Sequence, residues 1–582
     1  MLRFMPNRSC KALAAATVCL LALTASASAQ TRPLFSSQSQ GSTGLTQYSI
    51  DLDTGVLTQQ GSIVPSGSYP TVPTISPTGS NIYVGDFFNS VVHGFSIGAG
   101  GLTALAGSPY AGGLGPNSAV VSPAGNALWT VNATGSSVSG FSVDGAGALS
   151  EVAGSPYVSS GVSNAIAASP NNPFIFTSGY GSNTIAGFLR GSGPELTELA
   201  DSPFADPGTP SDVEFSTAGN FLFVTNADGD NISSYAISPS GTLTGVTGSP
   251  FLAGDQPGAL AASPNGKWLF ALNIEDSTIQ VFAISGDGAL NPIGSPVATG
   301  SDPYDLNVSP DGRFLYTANF SSGTISGFAI DDSGALSELS GSPYGDASGA
   351  VVSIQIVPDQ GPTASFASSV KDNTVSFNAA GSSDPDGSVS SYAWDFGDGT
   401  TQSGASPQVS HTYAASGNFN VTLRVTDNEN CSNVQIGTGQ SLACNGSARA
   451  VFSKTVSAIG PLTLKHATGR QLKSTKSKGK VQVRVQTEFF LNRAANVSYQ
   501  FQKSSSKGRC RTSPKKKKGK AKYKNFGKKA SYPGNAGRVR RTSAGKFGGK
   551  TIVPGRYRLK LMATSPTSVD TPTTTSASFC VR

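Results

Sequence analysis

One phrase recurs six times across the first 345 residues and limits the fold more than any other feature. Its copies end in Gly107-Ser108-Pro109, Gly154-Ser155-Pro156, Asp201-Ser202-Pro203, Gly248-Ser249-Pro250, Gly294-Ser295-Pro296 and Gly341-Ser342-Pro343. A second marker, Ser-Pro or a near relative, stands at Ser76, Ser122, Ser169, Ser216, Ser263 and Ser309, spaced by 46, 47, 47, 47 and 46 residues. A period of that length with strand-like content signals radial or stacked repeats, here a β-propeller.

The last full copy reads as four short strands: Tyr304 to Val308, Phe314 to Ala318, Thr324 to Ile330 and Ala335 to Leu339. Turn residues such as Ser309-Pro310-Asp311-Gly312 separate them, and no helical period interrupts the pattern. The two ends carry complementary fragments. Leu34 to Ser37, Gly44 to Ile50 and Gly55 to Gln59 supply strands two to four of a blade that lacks its first. Val351 to Pro358 supplies a lone first strand, and Val357 follows Ser309 by 48 residues. A seventh blade shared by both ends would remove the open sheet edges.

The phrase "SPDGRFLYTANFSSGTISGFAIDDSGALSELSGSPY" (Ser309–Tyr344) and its sisters resemble lactonase-like seven-bladed propellers, relatives of 6-phosphogluconolactonase and of YVTN surface-layer repeats. The resemblance spans about residues 34–358 and implies the fold; one fold hosts many activities.

Residues 1–29 read as a secretory signal, with Arg3, Arg8 and Lys11, the apolar run Ala12 to Leu23, and Ala27-Ser28-Ala29. That run is short for a membrane span, and no later stretch is long and apolar enough for one. A secreted or cell-surface protein is expected. Four cysteines remain after the signal, and their grouping suggests disulfides Cys431–Cys444 and Cys510–Cys580.

Charge is segregated. From Gly460 onward there are 30 basic and two acidic residues, a net of +28; between Gln30 and Ile459 there are 8 basic and 32 acidic, a net of −24. An acidic body joined to a basic tail argues for separate partners.

We read residues 30–360 as the propeller, 361–458 as a second module and 459–582 as a basic β-rich domain. The second module carries "SSDPDGSVSSYAWDFGDGT" and "HTYAASGNFNVTLRVTDNE", which resemble PKD domains, immunoglobulin-like β-sandwiches that serve as spacers or adhesion units. Trp394 and Phe396 fall on one strand face, and Tyr413 suits a buried ring with a structural hydrogen bond. Asp384, Asp386, Asp395 and Asp398 invite a calcium reading, with turn chemistry as the favoured alternative. Asp228-Gly229-Asp230 is read the same way. No other cofactor is expected.

In the last domain Val481 to Val485, Ala495 to Phe501, Gly555 to Leu561 and Ala577 to Val581 read as strands. "FFLNRAANVSYQFQK", "PGRYRLKLMATSP" and "FCVR" resemble small immunoglobulin-like domains that end exported actinobacterial proteins. A mobile cationic loop is expected from about Ser504 to Lys550. Within it Lys515, Lys516, Lys517, Lys518, Lys520 and Lys522 are the candidate contacts to anionic envelope or matrix polymers. No recognition motif points to specific nucleic-acid binding.

The search for catalytic residues finds no constellation. His93 is the propeller's lone histidine, and its basic residues are Arg32, Arg190, Lys267 and Arg313, too few to hold a phosphorylated sugar acid. Asp86, Asn132, Asn226, Asn273 and Asn319 recur at the end of strand two, either as a ligand rim or, more consistent with repetition, as turn caps bonding their own backbone. The expectation is an all-β, exported, non-catalytic binding or adhesion protein, with other surface proteins or carbohydrate as propeller partners. The rivals are a lactonase-type hydrolase using the propeller's axial funnel and a purely structural surface-layer component.

Overall fold

The computed structural model describes residues 30–158, 163–345, 349–437 and 439–458, together with the backbone of strands between 464 and 581. The chain forms two compact units. One runs to Val357 and also takes in Thr438–Ser441; the other comprises Pro358–Gly437 and the residues from Leu442 onward.

The first unit is a seven-bladed propeller whose blades are antiparallel sheets with strands in sequence order. Blade 4 is typical: Pro210–Phe215 innermost, then Phe221–Asn226, Asn231–Ile237 and Leu243–Gly245. The seventh sheet joins the chain ends as expected, with Val351–Ile356 inside Thr31–Gln38, Gly44–Asp51 and Leu57–Val64. Seven apolar clusters fill the seams, one between each pair of neighbouring blades. The seam between blades 6 and 7 packs Phe314, Tyr316 and Ile325 against Leu34, Tyr48 and Ile354.

A polar tie recurs across these apolar seams. Tyr83 donates to the carbonyl of Gly147 at 2.7 Å, and Trp129 Nε1 to that of Pro194 at 2.7 Å. Each acceptor lies in the turn between strands three and four of the next blade. Tyr316 makes the same bond to Gly55 at 2.6 Å, so the composite blade is held like its sisters.

The Gly-Ser-Pro phrase has a physical explanation. Its serine Oγ accepts a third-strand amide: Gly94 to Ser108 at 2.9 Å, Gly140 to Ser155 at 3.0 Å, Gly187 to Ser202 at 3.1 Å, Ser234 to Ser249 at 2.9 Å and Gly327 to Ser342 at 3.1 Å. The aromatic that follows lies over that strand, where a Cβ on Gly327 would stand 2.9 Å from the Tyr344 ring. Blade 5 departs in both places at once. It carries Val281 and Val297 there, and its outer strand runs unbroken from Leu290 to Ala298.

In the second unit the PKD stretch forms two sheets. One orders Ala367–Lys371, Thr374–Asn378 and Gln408–Thr412; the other Thr401–Gly404, Val389–Asp395, Gly417–Asp427 and Val451–Ala458. Trp394 and Phe396 are buried together, and Tyr413 donates to the Phe396 carbonyl at 3.0 Å. Further on, Leu464–Ser477, Lys480–Leu491 and Gly537–Ala544 form one sheet. Tyr523–Gly534, Ala495–Ser504, Gly555–Thr564 and Thr573–Val581 form another. The four expected strands are therefore present, but the expected loop from 504 to 550 also contains Tyr523–Gly534, Gly537–Ala544 and the short Lys546–Phe547. Ladder pairing satisfies backbone groups whatever the side-chain charge, so composition alone misread Tyr523–Gly534 and Gly537–Ala544 as loop. The signal stretch 1–29, Cys510, the side chain of Cys580 and Lys515–Lys522 lie outside the described residues.

If the closing seam is equivalent to an internal one, Tyr316→Phe and Tyr83→Phe lower propeller stability alike, each by about 1 kcal/mol for a buried hydrogen bond. Calorimetric melting of both variants checks this. A negligible effect at Tyr316 would show that the ring opens first at its closure.

Candidate functional site: the inner wall and the turn face of the propeller

The inner strands lie side by side around the axis, and Val351–Ile356 completes the circle against Thr74–Ile75. Their polar side chains link blade to blade. Thr71 Oγ1 donates to the Pro116 carbonyl at 3.2 Å, Asn117 Nδ2 to that of Asn164 at 2.9 Å, Asn164 Nδ2 to that of Ser211 at 2.9 Å, and Ser211 Oγ to that of Pro257 at 2.9 Å.

Three acids extend this wiring. Asp212 accepts the Leu260 amide at 2.8 Å, Glu214 the Ala262 amide at 3.1 Å and Asp305 the Ile354 amide at 3.0 Å, each on the next blade. Ser353 Oγ also donates to Asp305. Burial pushes the Asp212 carboxyl up to about 7, although hydrogen bonds from Gln440, Leu260 and Val213 oppose the rise. Burial likewise pushes Asp305 up to about 6. Sequence reasoning missed all three acids. The available signal was register: four residues before the Ser marker, Asp212 and Asp305 stand where other full blades carry Ser118, Ala165 and Ala259.

The repeated Asp/Asn positions are fully buried, which removes them from any ligand rim. Only Asp86 bonds the backbone of its own turn as expected for a cap, accepting the Asn89 amide at 3.4 Å; the asparagines reach across the hairpin instead. Asn132 Nδ2 donates to Ser137 and Ser139 at 3.1 and 3.0 Å, and Asn319 Nδ2 to Thr324 and Ser326 at 3.2 and 2.9 Å. Asn226 Nδ2 donates to Asn231 Oδ1 at 2.7 Å and Ser233 at 2.8 Å, and Asn273 Nδ2 to Thr278 at 3.1 Å. Asp86 accepts the Ser68 and Tyr69 amides at 2.9 and 3.2 Å. The preceding loop presses a glycine onto each: Cβ atoms on Gly113 and Gly300 would stand 2.0 and 2.5 Å from Asn132 and Asn319. That packing turns the side chains across the hairpin.

His93 lies half-buried beside Phe95 on its third strand, with burial pulling its pKa down. The basic residues do not converge. Arg32 donates to the Val357 carbonyl at 3.4 Å, Arg190 to Ser169 and Asn172 carbonyls at 3.0 and 2.9 Å, and Arg313 to Asp311 at 2.6 Å and to the Leu52 carbonyl.

Among the PKD acids, Asp395 accepts the Gly397 amide at 2.9 Å, and Asp398 accepts the Thr400 amide at 3.1 Å and pairs with His411 at 2.8 Å. Asp386 accepts the Gln360 amide at 3.2 Å, and Asp384 lies beside Gly387. Asp228 accepts Thr209 Oγ1 and Asp230 accepts the Gln256 amide at 3.0 Å. Asp359, Asp427 and Cys431 place ligand-type atoms within 4.8 Å of one another, but Cys431 is bonded to Cys444 and offers no thiolate.

The face bearing the turns between strands two and three is the propeller's apolar surface. Of its exposed large hydrophobics among the described residues, Phe88, Leu114, Val158, Tyr180, Leu252 and Tyr304 lie there and Leu189 does not. Tyr69, Phe87 and Phe88 cluster edge to face with centroids 5.3 to 6.2 Å apart, and Tyr304 stacks on Phe320 at 4.5 Å. The loops on this face carry Asp228, Asp230, Asp255, Glu275, Asp276 and Asp302 and no lysine or arginine.

The family description "Lactonase, 7-bladed beta-propeller" matches residues 92–251 and 240–355, and "PKD domain" matches 359–438. The chain is a lactonase-like β-propeller followed by a PKD domain. A 6-phosphogluconolactonase candidate from Bacteroides uniformis superposes on the lactonase-like propeller with a TM-score of 0.51 at 20% identity, covering 57% of this chain and 100% of that one. Another from Bacteroides fragilis gives 0.50 at 19%, covering 56% and 98%. At such identity the likeness is one of fold. Curated matches are short: a microbial collagenase of Vibrio alginolyticus is 41% identical over 56 residues, 10% of this chain and 7% of the collagenase. The metalloprotease PrtV of Vibrio cholerae is 52% identical over 48 residues, 8% of this chain and 5% of PrtV. The chain thus spans a small fraction of these relatives.

The axial acids imply a pH dependence. Their folded pKa values lie above the ordinary carboxylate range, so their contribution is intact below about pH 4 and lost as pH rises through about 6 to 7. The propeller's melting temperature should fall between pH 5 and pH 8. Asp212→Asn with Asp305→Asn should flatten that slope, leaving the part due to Asp206, which burial also raises. An unchanged slope in the double variant would refute the assignment.

Proposed function

We propose that this is an exported, non-catalytic binding protein whose propeller presents an aromatic, acidic face to neutral or cationic partners, carbohydrate or protein. The basic C-terminal domain holds it to anionic envelope or matrix polymers. The observation that carries the propeller reading is the gathering of exposed apolar side chains on one face whose loops lack any basic residue. Clustered exposed aromatics such as Tyr69, Phe87 and Phe88 favour association, and uniform negative charge disfavours anionic ligands. The PKD domain and the Cys431–Cys444 disulfide are consistent with an extracellular setting, and among the described residues no helix is long and apolar enough to cross a membrane.

Asp212 favours the hydrolase reading in one respect, since a carboxyl near 7 has the affinity of a general base. Its geometry opposes that role. Both oxygens accept hydrogen bonds, one from Leu260 and one from Gln440, and the arginines that would hold a sugar acid are engaged elsewhere.

Purified protein should sediment with isolated cell envelopes at low ionic strength and be released by salt. A full-length variant with Lys515, Lys516, Lys517, Lys518, Lys520 and Lys522 changed to serine should stay mostly soluble. Equal sedimentation of both proteins would remove the anchor from this reading. In parallel, lactone hydrolysis above the uncatalysed rate that vanishes in Asp212→Asn would replace it with the hydrolase.

A further inference from the structure

Gly439 and Gln440 belong to the same compact unit as the propeller, although 81 residues separate Gly439 from Val357. The Gly439 carbonyl accepts the amide of Ala168, last residue of the blade 3 inner strand, at 3.0 Å. Its φ of +98° suits glycine, and a Cβ there would stand 2.6 Å from the Phe215 ring and 3.0 Å from the Ala168 carbonyl. One residue on, the Gln440 carboxamide donates to the Asp212 carboxylate and to the Val213 carbonyl. Two N–H donors on one nitrogen thus meet two acceptors on one inner strand.

We propose that the inner wall at blades 3 and 4 is a binding site for a glycine-containing peptide turn bearing a primary carboxamide, filled in cis by Gly439-Gln440. The acceptor is built in advance: Asp212 is buried, with its other oxygen held by the Leu260 amide. A glutamate in place of Gln440 has no N–H pair to divide between the two acceptors, and its carboxyl would face the Val213 carbonyl oxygen and a second carboxyl. A methyl group on the glycine would not fit. Two acceptors within reach of one nitrogen make the carboxamide the selective element. The turn is presented by a short hairpin, Ile436–Gly437 with Leu442–Cys444, inside the loop closed by Cys431–Cys444 at a separation of 13 residues. Closing that loop lowers the entropy of the free turn and favours occupancy in cis; opening it lets an external turn of the same chemistry compete. This inference is independent of what the aromatic face or the basic domain binds.

Hydrogen exchange of the full-length oxidised chain tests it. The Ala168 amide should be protected, and Gln440→Glu should raise its exchange at least about tenfold, the loss expected for one charge-assisted hydrogen bond. A variant with Cys431→Ser and Cys444→Ser should show an intermediate increase, a second route that leaves Gln440 in place. A synthetic disulfide-closed peptide with the sequence of residues 431–444, added to the Gln440→Glu chain, should restore protection saturably. The same peptide with glutamate for that glutamine should not. Equal exchange at Ala168 in wild type and both variants overturns the occupancy in cis. Failure of the wild-type peptide to protect at millimolar concentration overturns the binding site.

Discussion

The structure depends on one antiparallel pairing, between Val351–Ile356 and Thr31–Gln38, whose partners lie more than 300 residues apart in sequence. Without it the propeller would be an open arc with two unpaired strand edges, which are templates for aggregation. Closing so long a segment costs entropy only logarithmically in its length, and the return comes from a whole seam rather than one ladder. Leu34, Tyr48 and Ile50 pack on Phe314 and Tyr316, while Tyr316 and Arg313 reach back to the carbonyls of Gly55 and Leu52. Apolar packing of the same kind fills the other seams, and the ring-to-carbonyl tie recurs at Tyr83 and Trp129.

That closure was legible because repetition makes it so. Phase alone matched the lone strand after Val351 to the three strands after Thr31, and the PKD core followed from the alternation of Trp394 and Phe396. What repetition concealed was the role of departures from it. Asp212 and Asp305 stand in register with Ser118, Ala165 and Ala259, and Glu214 with Val120, Ala167 and Ala261, and all three look like drift until the next blade's amides appear opposite them. The buried asparagines were misjudged for the reverse reason. Their recurrence rightly indicated structure, but the glycine that turns them across the hairpin sits in the preceding loop, some twenty residues earlier in the chain. Blade 5 replaces both the strand residue and the aromatic, by Val281 and Val297, whereas blade 4 keeps Phe251 with Ser234 at the strand position.

Charge is used in two physically different ways in the propeller. On the turn face, carboxylates such as Asp302 and Glu275 meet water and set a long-range field that repels anions. On the inner wall, burial costs the charged form of Asp212 and Asp305 so much that hydrogen bonding only partly compensates. Each inner acid joins one blade to the next, so its polar atoms contribute geometry more than Coulombic energy.

The same arithmetic explains why a shifted pKa does not by itself make a catalyst. A general base needs an oxygen free to meet the proton it removes. At Asp212 one oxygen is committed to Leu260 and the other to Gln440, so a water or a lactone carbonyl would first have to displace the carboxamide. Gln440 is therefore the residue on which both interpretations of the axis turn. While it stays, the acid completes a wall; if it leaves, a desolvated carboxyl with affinity for protons near neutrality is uncovered, together with the free amide of Ala168. In this lactonase-like propeller the axial wall is thus completed by a glycine and a glutamine contributed by a segment beyond the repeats.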